Sequence, residues 1–316
     1  MNGDMKLRSL KVSQKTLNRY LACIQQFEHW ATTRKINFSG ARLDKAVNKY
    51  LHFLFDDDAE LNEATYLVYG LQLLKCTVPK HDFLTVSKQS SSGWRKQQPG
   101  SMRVPVPEEF VFDLGQFALD NNRVDIAMML AIQYDAYLRP SEALSLTKKH
   151  VGFPQGKRYP HWSLVIAPST LRQTTKTGKS DDSILLADLP HNSWMKECMK
   201  LFLARVGDQL FDSLTLGQLE SWCKQACNTL GYSSACVMPH IVRHAGASND
   251  MYHKRRSLAE IQKRRRWSSK SSVSRYEKHA LLLKQWEQVA PCALSQSSGE
   301  RTIPSFSVAV AQNLAS

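Results

Sequence analysis

The chain contains no run of eighteen apolar residues, and its first residues, MNGDMKLRSL, lack the apolar stretch of a secretory signal. We therefore expect neither a membrane span nor secretion. The phosphate-binding patterns GxxxxGK[ST] and GxGxxG are also missing, so the sequence indicates no use of ATP or dinucleotides, and we expect no cofactor. The seven cysteines are odd in number and scattered, which favours reduced thiols inside a cell.

Acidic residues are too few to balance the basic ones. The chain has 42 lysines and arginines against 28 aspartates and glutamates, a formal net charge of +14. Residues 240–280 carry +8 and residues 85–107 carry +4, while the rest is nearly neutral. Positive charge focused in this way is typical of a surface that neutralises phosphates, so we expect double-stranded DNA as a partner. The expected DNA-contacting residues are Lys88, Arg95, Lys96, Arg103, Lys254, Arg255, Arg256, Lys263, Arg264, Arg265 and Arg266.

Length and periodicity predict two domains in the 316 residues. Apolar residues at helical spacing over 14–32, 43–54 and 63–74 predict a helical domain at 13–87, after a tail at 1–12. A basic Ser/Gly/Gln/Pro-rich segment predicts a linker at 88–107. Residues 108–290 combine helical patterns with a β-hairpin between 161 and 189, and 291–316 predict a tail. The predicted fold class is mainly α with a small β-sheet.

Several short groups in the second domain carry polar residues suited to phosphate chemistry. They are Arg139 with Glu142, Lys176 with Lys179, His240 with Arg243 and His244, Trp267, and Tyr276 nine residues later. Each group alone is more often structural: an Arg–Glu pair three residues apart is usually a surface ion pair, and a tyrosine on an apolar helix usually belongs to a core. Their order and spacing together are the informative feature.

In this order the groups resemble the tyrosine recombinases, the phage-type integrases and their relatives. The R-x-x-E box matches Arg139 with Glu142, and the H-x-x-R box matches His240 with Arg243, followed by His244. The hairpin lysine matches Lys176, with Lys179 as the reserve choice; the His/Trp position matches Trp267 and the nucleophile matches Tyr276. The resemblance covers residues 13–290. The chain departs from it where Arg265-Arg266-Trp267 replaces Leu-Gly-His and where Gly246 replaces a hydroxyl residue, which is more typical of a divergent mobile-element lineage.

The resemblance implies a site-specific recombinase or integrase that cuts and rejoins DNA through a 3′-phosphotyrosyl bond to Tyr276. It also implies a helical core-binding domain before the catalytic domain. A homotetramer would act on two DNA sites, with residues 291–316 docking on a neighbouring protomer. We expect the protein inside the cell with DNA: in the nucleus of a eukaryote, or in the cytoplasm or nucleoid of a bacterium.

The two arginines suit this reaction for a reason that does not depend on the family. A phosphodiester under attack gathers negative charge on its non-bridging oxygens, and the fork-shaped guanidiniums of Arg139 and Arg243 can bind those oxygens in pairs. Because the arginines supply the positive charge, we expect no metal ion. Glu142 is better interpreted as a residue that orients them than as an acid, and His244 and Lys179 as supporting residues.

The remaining groups move protons. A tyrosine with a pKa of about 10 is mostly protonated at neutral pH, so Tyr276 needs nearby cations and a base such as His240. The 5′ oxygen of a sugar leaves poorly unless it is protonated, and the ammonium of Lys176 can deliver that proton. Trp267 offers one N–H donor for a phosphate oxygen.

Other interpretations remain open. A type IB-like topoisomerase uses similar groups, and a DNA-binding protein without activity could keep the same fold. Residues 254–266 could serve as a nuclear import signal, although a DNA-facing helix explains them as well. Cys223, Cys227 and Cys236 with His240 could be imagined as zinc ligands, but their irregular spacing favours structural cysteines.

Overall fold

The computed structural model of the chain describes residues 9–76, 81–98, 105–173, 180–232, 238–267, 280, 282–284, 286–287 and 303–315. The chain divides into two compact units, Met1–Met102 and Arg103–Ser316. The described residues are mainly helical with a small three-stranded sheet, which confirms the predicted fold class. None of the described helices combines the length and apolar character of a bilayer-spanning helix.

The first unit is built from four described helices: α1 Gln14–Thr33, α2 Leu43–Asp56, α3 Leu61–Leu74 and α4 Thr85–Gln97. The helix α1 begins where Ser13 accepts a hydrogen bond from the N–H of Thr16 at 3.3 Å, which satisfies one of the free N–H groups of the first turn. The apolar stripes of α1, α2 and α3 meet in a core that contains Phe27, Leu51 and Leu67.

The helix α4 corrects the prediction of a linker at 88–107, because residues 85–97 belong to the packed first unit. Its start is capped by Asp44 of α2, whose carboxylate accepts from the N–H of Val86 at 2.9 Å and of Ser87 at 3.0 Å. Trp94 is buried, with its ring edge-to-face against Phe55 at 5.3 Å. The local composition disfavours a helix, and these contacts with a distant segment stabilise it.

The second unit is organised around a central helix. Its described helices are α5 Glu108–Asp120, α6 Val124–Ala136, α7 Pro140–Leu144, α8 Met195–Arg205, α9 Leu216–Thr229, α10 Pro239–Tyr252, α11 Leu258–Arg265 and α12 Ile303–Ala315. The helix α6 is buried on all sides from Ile126 to Ala136, with α5 and α10 packed against it. A helix that is apolar around its whole circumference is expected in such a position.

The sheet of the second unit confirms the predicted hairpin. Its strands are β1 Val151–Gly152, β2 Trp162–Ile166 and β3 Asp182–Leu186, paired antiparallel in the order β1-β2-β3. Trp162 pairs with Leu186 and Ile166 with Asp182. Alternate residues of β2 are buried, and β3 packs against α6, so the hairpin is fixed to the centre of the unit.

The C-terminal helix α12 lies in the predicted tail at 291–316, where the sequence showed little periodicity. Val310 and Leu314, four residues apart and so on one face of the helix, are buried. The helix packs against α5 and α8 of its own chain, and Nη1 of Arg205 donates to the carbonyl of Asn313 at 3.1 Å. In this structure residues 303–315 therefore pack on their own protomer, and docking of 291–316 on a neighbouring protomer stays a prediction.

Candidate functional site

The R-x-x-E box forms the sharp start of α7. Tyr137 ends the preceding helix in the left-handed region with a φ of 50°, and Pro140 occupies the first turn of α7, where a missing N–H costs nothing. Glu142 accepts a hydrogen bond from the N–H of Arg139 at 2.8 Å, as in a capping box. Nη1 of Arg139 lies 2.5 Å from the same carboxylate. Glu142 thus orients Arg139, in both its backbone and its side chain.

The H-x-x-R box brings a second arginine to the same carboxylate. Arg243 lies on α10 and is only 4% exposed. Its Nη1 is 3.4 Å from Glu142, and its Nη2 donates to the carbonyl of Arg265 at 2.9 Å. Two motifs that are 101 residues apart in sequence therefore meet at one carboxylate.

Arg266 is a third guanidinium on Glu142, and sequence reasoning assigned it wrongly to the DNA-facing surface. It ends α11 in the left-handed region with a φ of 59°, and its side chain is 5% exposed. Its Nη2 donates to Glu142. Burial alone raises the pKa of a carboxyl, but Arg266, the N–H of Arg139, Arg243 and Arg139 hold the pKa of Glu142 below its ordinary value.

The cluster of Arg139, Arg243, Arg265 and Arg266 around Glu142 has an excess of positive charge. Burial, followed by the nearby Arg265 and Arg266, lowers the pKa of Arg243 well below its ordinary value. Guanidiniums stay protonated in proteins, so four of them around one carboxylate carry more positive charge than Glu142 neutralises. An anion that enters the cluster relieves this repulsion, and a phosphate has the size and oxygens to do so.

Arg265 connects the cluster to two further predicted residues. Its guanidinium lies over the Trp267 ring, 4.1 Å from the centroid, and its Nη2 is 3.0 Å from Nδ1 of His244. Because an arginine can only donate, Nδ1 accepts and the proton of a neutral His244 is assigned to Nε2. Sequence reasoning placed Arg265 on the DNA surface, yet it is 1% exposed and contacts residues of the site.

Of the other predicted site residues, the structure describes His240 and Trp267. His240 lies half-buried in the first turn of α10, three residues before Arg243 and so on the same side of the helix. Trp267 is half-buried beside Tyr137 and Ile261. Lys176, Lys179, Tyr276 and Arg103 lie outside the described residues, and their assignments stay predictions.

Gly246, where the family commonly has a hydroxyl residue, has a reason in the packing of α10 against α6. A Cβ at this position would lie 2.2 Å from the carbonyl oxygen of Tyr134 and 2.9 Å from the ring of Tyr137. A side chain larger than hydrogen would therefore push apart the two helices that position Arg139 and Arg243.

Three predicted DNA contacts are instead part of an internal ion-pair network. Arg255 forms a paired contact with Glu108 at 2.6 and 2.7 Å. Arg256 pairs with Asp188 at 2.5 and 2.9 Å, and Arg264 is 3.2 Å from Asp135. These guanidiniums are occupied by buried or half-buried carboxylates, so the prediction that they contact DNA is wrong in this structure.

The same burial speaks against a nuclear import signal, since such a signal must be accessible to its receptor. Of the predicted DNA contacts that the structure describes, Lys254, Lys263, Arg95 and Lys96 are exposed, and Lys88 is half-buried. The zinc interpretation gains no support: Cys223 and Cys227 are buried in the core along α9, and Cys236 lies outside the described residues. No cluster of three or more metal-binding side chains occurs in the part of the chain that the structure describes.

The second unit is thus a helical domain with a small sheet, in which an R-x-x-E box and an H-x-x-R box converge on a half-buried carboxylate. A family model described as the phage integrase family matches residues 113–281, more than half of the chain. The chain therefore belongs to the phage integrase family, the tyrosine recombinases that its motifs resemble. No curated protein matches the sequence.

The XerH post-cleavage complex has the same fold as this chain. The chain is similar to the XerH site-specific recombinase bound to a palindromic difH substrate in a post-cleavage complex, with 16% identity and a TM-score of 0.53 over 86% of this chain and 78% of that one. A XerA recombinase superimposes with a TM-score of 0.42 at 14% identity, over 90% of this chain and 94% of that one. A pre-cleavage XerH complex with difH has a TM-score of 0.40 at 18% identity, over 67% of this chain and 66% of that one.

Proposed function

We propose that the protein is a site-specific DNA recombinase that cuts and rejoins double-stranded DNA through a 3′-phosphotyrosyl bond to Tyr276. The observation that carries the proposal is the convergence of Arg139 and Arg243 on Glu142, inside a cluster with excess positive charge. Family membership supports the same class of reaction.

In the cleavage step the phenolate oxygen of Tyr276 forms a bond to phosphorus while the bond from phosphorus to the 5′ oxygen breaks. Arg139 and Arg243 bind the non-bridging oxygens, whose negative charge rises in the pentacoordinate state. His240 accepts the phenol proton, and the ammonium of Lys176 gives a proton to the leaving oxygen. Trp267 donates its N–H to a phosphate oxygen.

Rejoining reverses these transfers. A free 5′ hydroxyl from a partner duplex attacks the phosphotyrosyl bond, so the energy of the broken bond is conserved and ATP is not consumed. The arginines supply the charge that a metal ion supplies in other phosphoryl transfers, and we propose a reaction independent of metal ions.

Exchange between two duplexes involves four cleavages, which supports a homotetramer on two sites. The departures at Arg265-Arg266-Trp267 favour a recombinase of a mobile element.

A nicked suicide substrate tests the proposal. Cleavage next to the nick releases a short fragment, so the covalent adduct accumulates and appears as a shifted band in a denaturing gel. We expect an adduct with the wild type and none with Tyr276→Phe, while Tyr159→Phe, which alters a tyrosine that is 60% exposed, keeps it.

Two results would contradict the proposal. An adduct that persists in Tyr276→Phe rejects the nucleophile. Relaxation of supercoiled DNA by a monomer, with no strand exchange between two sites, points instead to a type IB-like topoisomerase.

A further inference from the structure

Arg266 occupies a backbone position that suits glycine better than arginine. Its φ of 59° lies in the left-handed region, in which a Cβ crowds the following carbonyl. The tyrosine recombinases that the chain resembles usually have glycine there. An arginine at this position brings a backbone cost that a contact of its side chain has to offset.

The side chain of Arg266 joins two parts of the second unit. Nη2 donates to Glu142, the carboxylate shared with Arg139 and Arg243. On the other side, Nε lies 3.9 Å from Oδ2 of Asp182. Both of these atoms are buried and have no hydrogen-bond partner among the described residues, so the ion pair is their principal polar contact. An ion pair removed from water in this way is stronger than one on the surface.

Asp182 lies at the base of the β2–β3 hairpin. It is the first residue of β3 and pairs with Ile166, the last residue of β2, so it ends the ladder beside the connection between the strands. Beyond this pair the described part of the connection stays close to the ladder, since the N–H of Asp181 donates to the carbonyl of Ala167 at 3.0 Å. Arg266 thus connects the arginine cluster with the end of the β2–β3 ladder.

We propose that Arg266 is a positioning residue that holds the β2–β3 hairpin against the arginine cluster through Asp182 and Glu142. The inference rests on the proposed function, in which Lys176 of that hairpin protonates the leaving 5′ oxygen. Arg266 acts through the hairpin and does not touch the phosphate. Its loss therefore impairs the protonation of the leaving group more than the binding of the non-bridging oxygens, because Arg139 and Arg243 keep their own contacts with Glu142 at 2.5 and 3.4 Å.

A substrate with sulfur in place of the bridging 5′ oxygen separates these two roles. Its thiol has a pKa of about 8.5, far below that of a sugar hydroxyl, so a thiolate leaves without receiving a proton. The rate of a single cleavage event is measured with the oxygen and the sulfur suicide substrates. The variants are Arg266→Gly, which also removes the backbone cost, and Asp182→Asn.

We expect Arg266→Gly to slow cleavage of the oxygen substrate by about 10- to 100-fold, because a small misplacement of a reacting group has effects of this size. Cleavage of the sulfur substrate should keep nearly the wild-type rate. Asp182→Asn should show the same pattern, and the double variant should be no slower than Arg266→Gly alone. The matched control is Lys35→Gly, which removes an exposed lysine with a φ of 53° and should change neither rate.

Equal slowing of both substrates by Arg266→Gly would overturn the inference, since it would mean that Arg266 acts on phosphate binding, directly or through Glu142, and not on the hairpin. Unchanged rates on both would overturn it as well. Two further variants keep the proposed function separate: Lys176→Ala must itself be rescued by sulfur, and Tyr276→Phe must cleave neither substrate. If these two fail, the assignment of the general acid or of the nucleophile is wrong, independently of Arg266.

Discussion

Replacing Glu142 with glutamine removes the carboxylate that three guanidiniums share. The side chain of Glu142 is 13% exposed, and those of Arg243 and Arg266 are each 5% exposed. The three charges therefore have little access to water. Removing one partner of a buried ion pair leaves an uncompensated charge and costs about 3–5 kcal/mol. Glutamine can still accept from the N–H of Arg139, so we expect a loss near the lower end, about 3 kcal/mol.

The assay is thermal unfolding at neutral pH. For a unit of the size of Arg103–Ser316, a loss of about 3 kcal/mol lowers Tm by roughly 6–12 °C. Adding inorganic phosphate should recover more of the lost Tm in Glu142→Gln than the wild type gains, since the variant has a larger excess of positive charge for the anion to neutralise. The matched control is Glu197→Gln, in a surface pair with Lys200 whose glutamate is 62% exposed, where the change should stay below about 1 kcal/mol.

The reasoning about the cluster is refuted if Glu142→Gln loses no more stability than Glu197→Gln. It is refuted equally if phosphate fails to raise the Tm of the variant. Either result would mean that the guanidiniums do not depend on the carboxylate and do not form a site for an anion.

Three further predictions follow from the packing and the ion pairs. Gly246→Ala places a Cβ 2.2 Å from a backbone oxygen and should lower the urea midpoint of unfolding by an amount equivalent to about 1–3 kcal/mol. The control Gly93→Ala, whose Cβ meets nothing within 4 Å, should stabilise the protein. Equal midpoints for the two variants would contradict the close packing at Gly246. Burial raises the pKa of Glu108, but the paired Arg255 lowers it further, so the pKa in the folded protein is below the ordinary value. The contribution of this pair to folding stability is therefore present above about pH 4.3 and is lost as pH falls through the folded pKa. Glu108→Gln should therefore flatten the acid side of a stability–pH curve, and an unchanged slope would contradict this. Val310→Asp should release the C-terminal helix and expose it to limited proteolysis. Val308→Asp, at a residue that is 54% exposed, should leave the helix protected. Equal protection in the two variants would show that the buried face does not hold the helix.

The meeting of Arg139, Glu142 and Arg243 was predictable from the sequence because each motif sits at the end or on one face of a helix, and the family resemblance brings them together. The role of Arg266 was not predictable. A sequence shows its charge, but not that Glu142, 124 residues earlier, lies within hydrogen-bond distance. The observable signal was an arginine in place of the usual glycine.

The basic stretch at 254–266 shows the same difficulty on a larger scale. Its charge suggested a surface for phosphates, yet Arg255 and Arg256 pair with carboxylates 147 and 68 residues away in sequence. Net charge counts residues and does not show which of them neutralise each other across a fold. The helix α4 was missed for a related reason, since its capping by Asp44 and the burial of Trp94 are tertiary contacts that override a weak local propensity.

The most direct test of the central claim is to identify the amino acid that becomes attached to DNA. The wild-type adduct on a suicide substrate is treated with nuclease and trypsin, and the peptide that carries the remaining nucleotide is sequenced by mass spectrometry. The account predicts a nucleotide linked through its 3′ phosphate to Tyr276, within residues 276–278 between the cleavage sites after Arg275 and Lys278. Attachment at another residue, or through a 5′ phosphate, would contradict it.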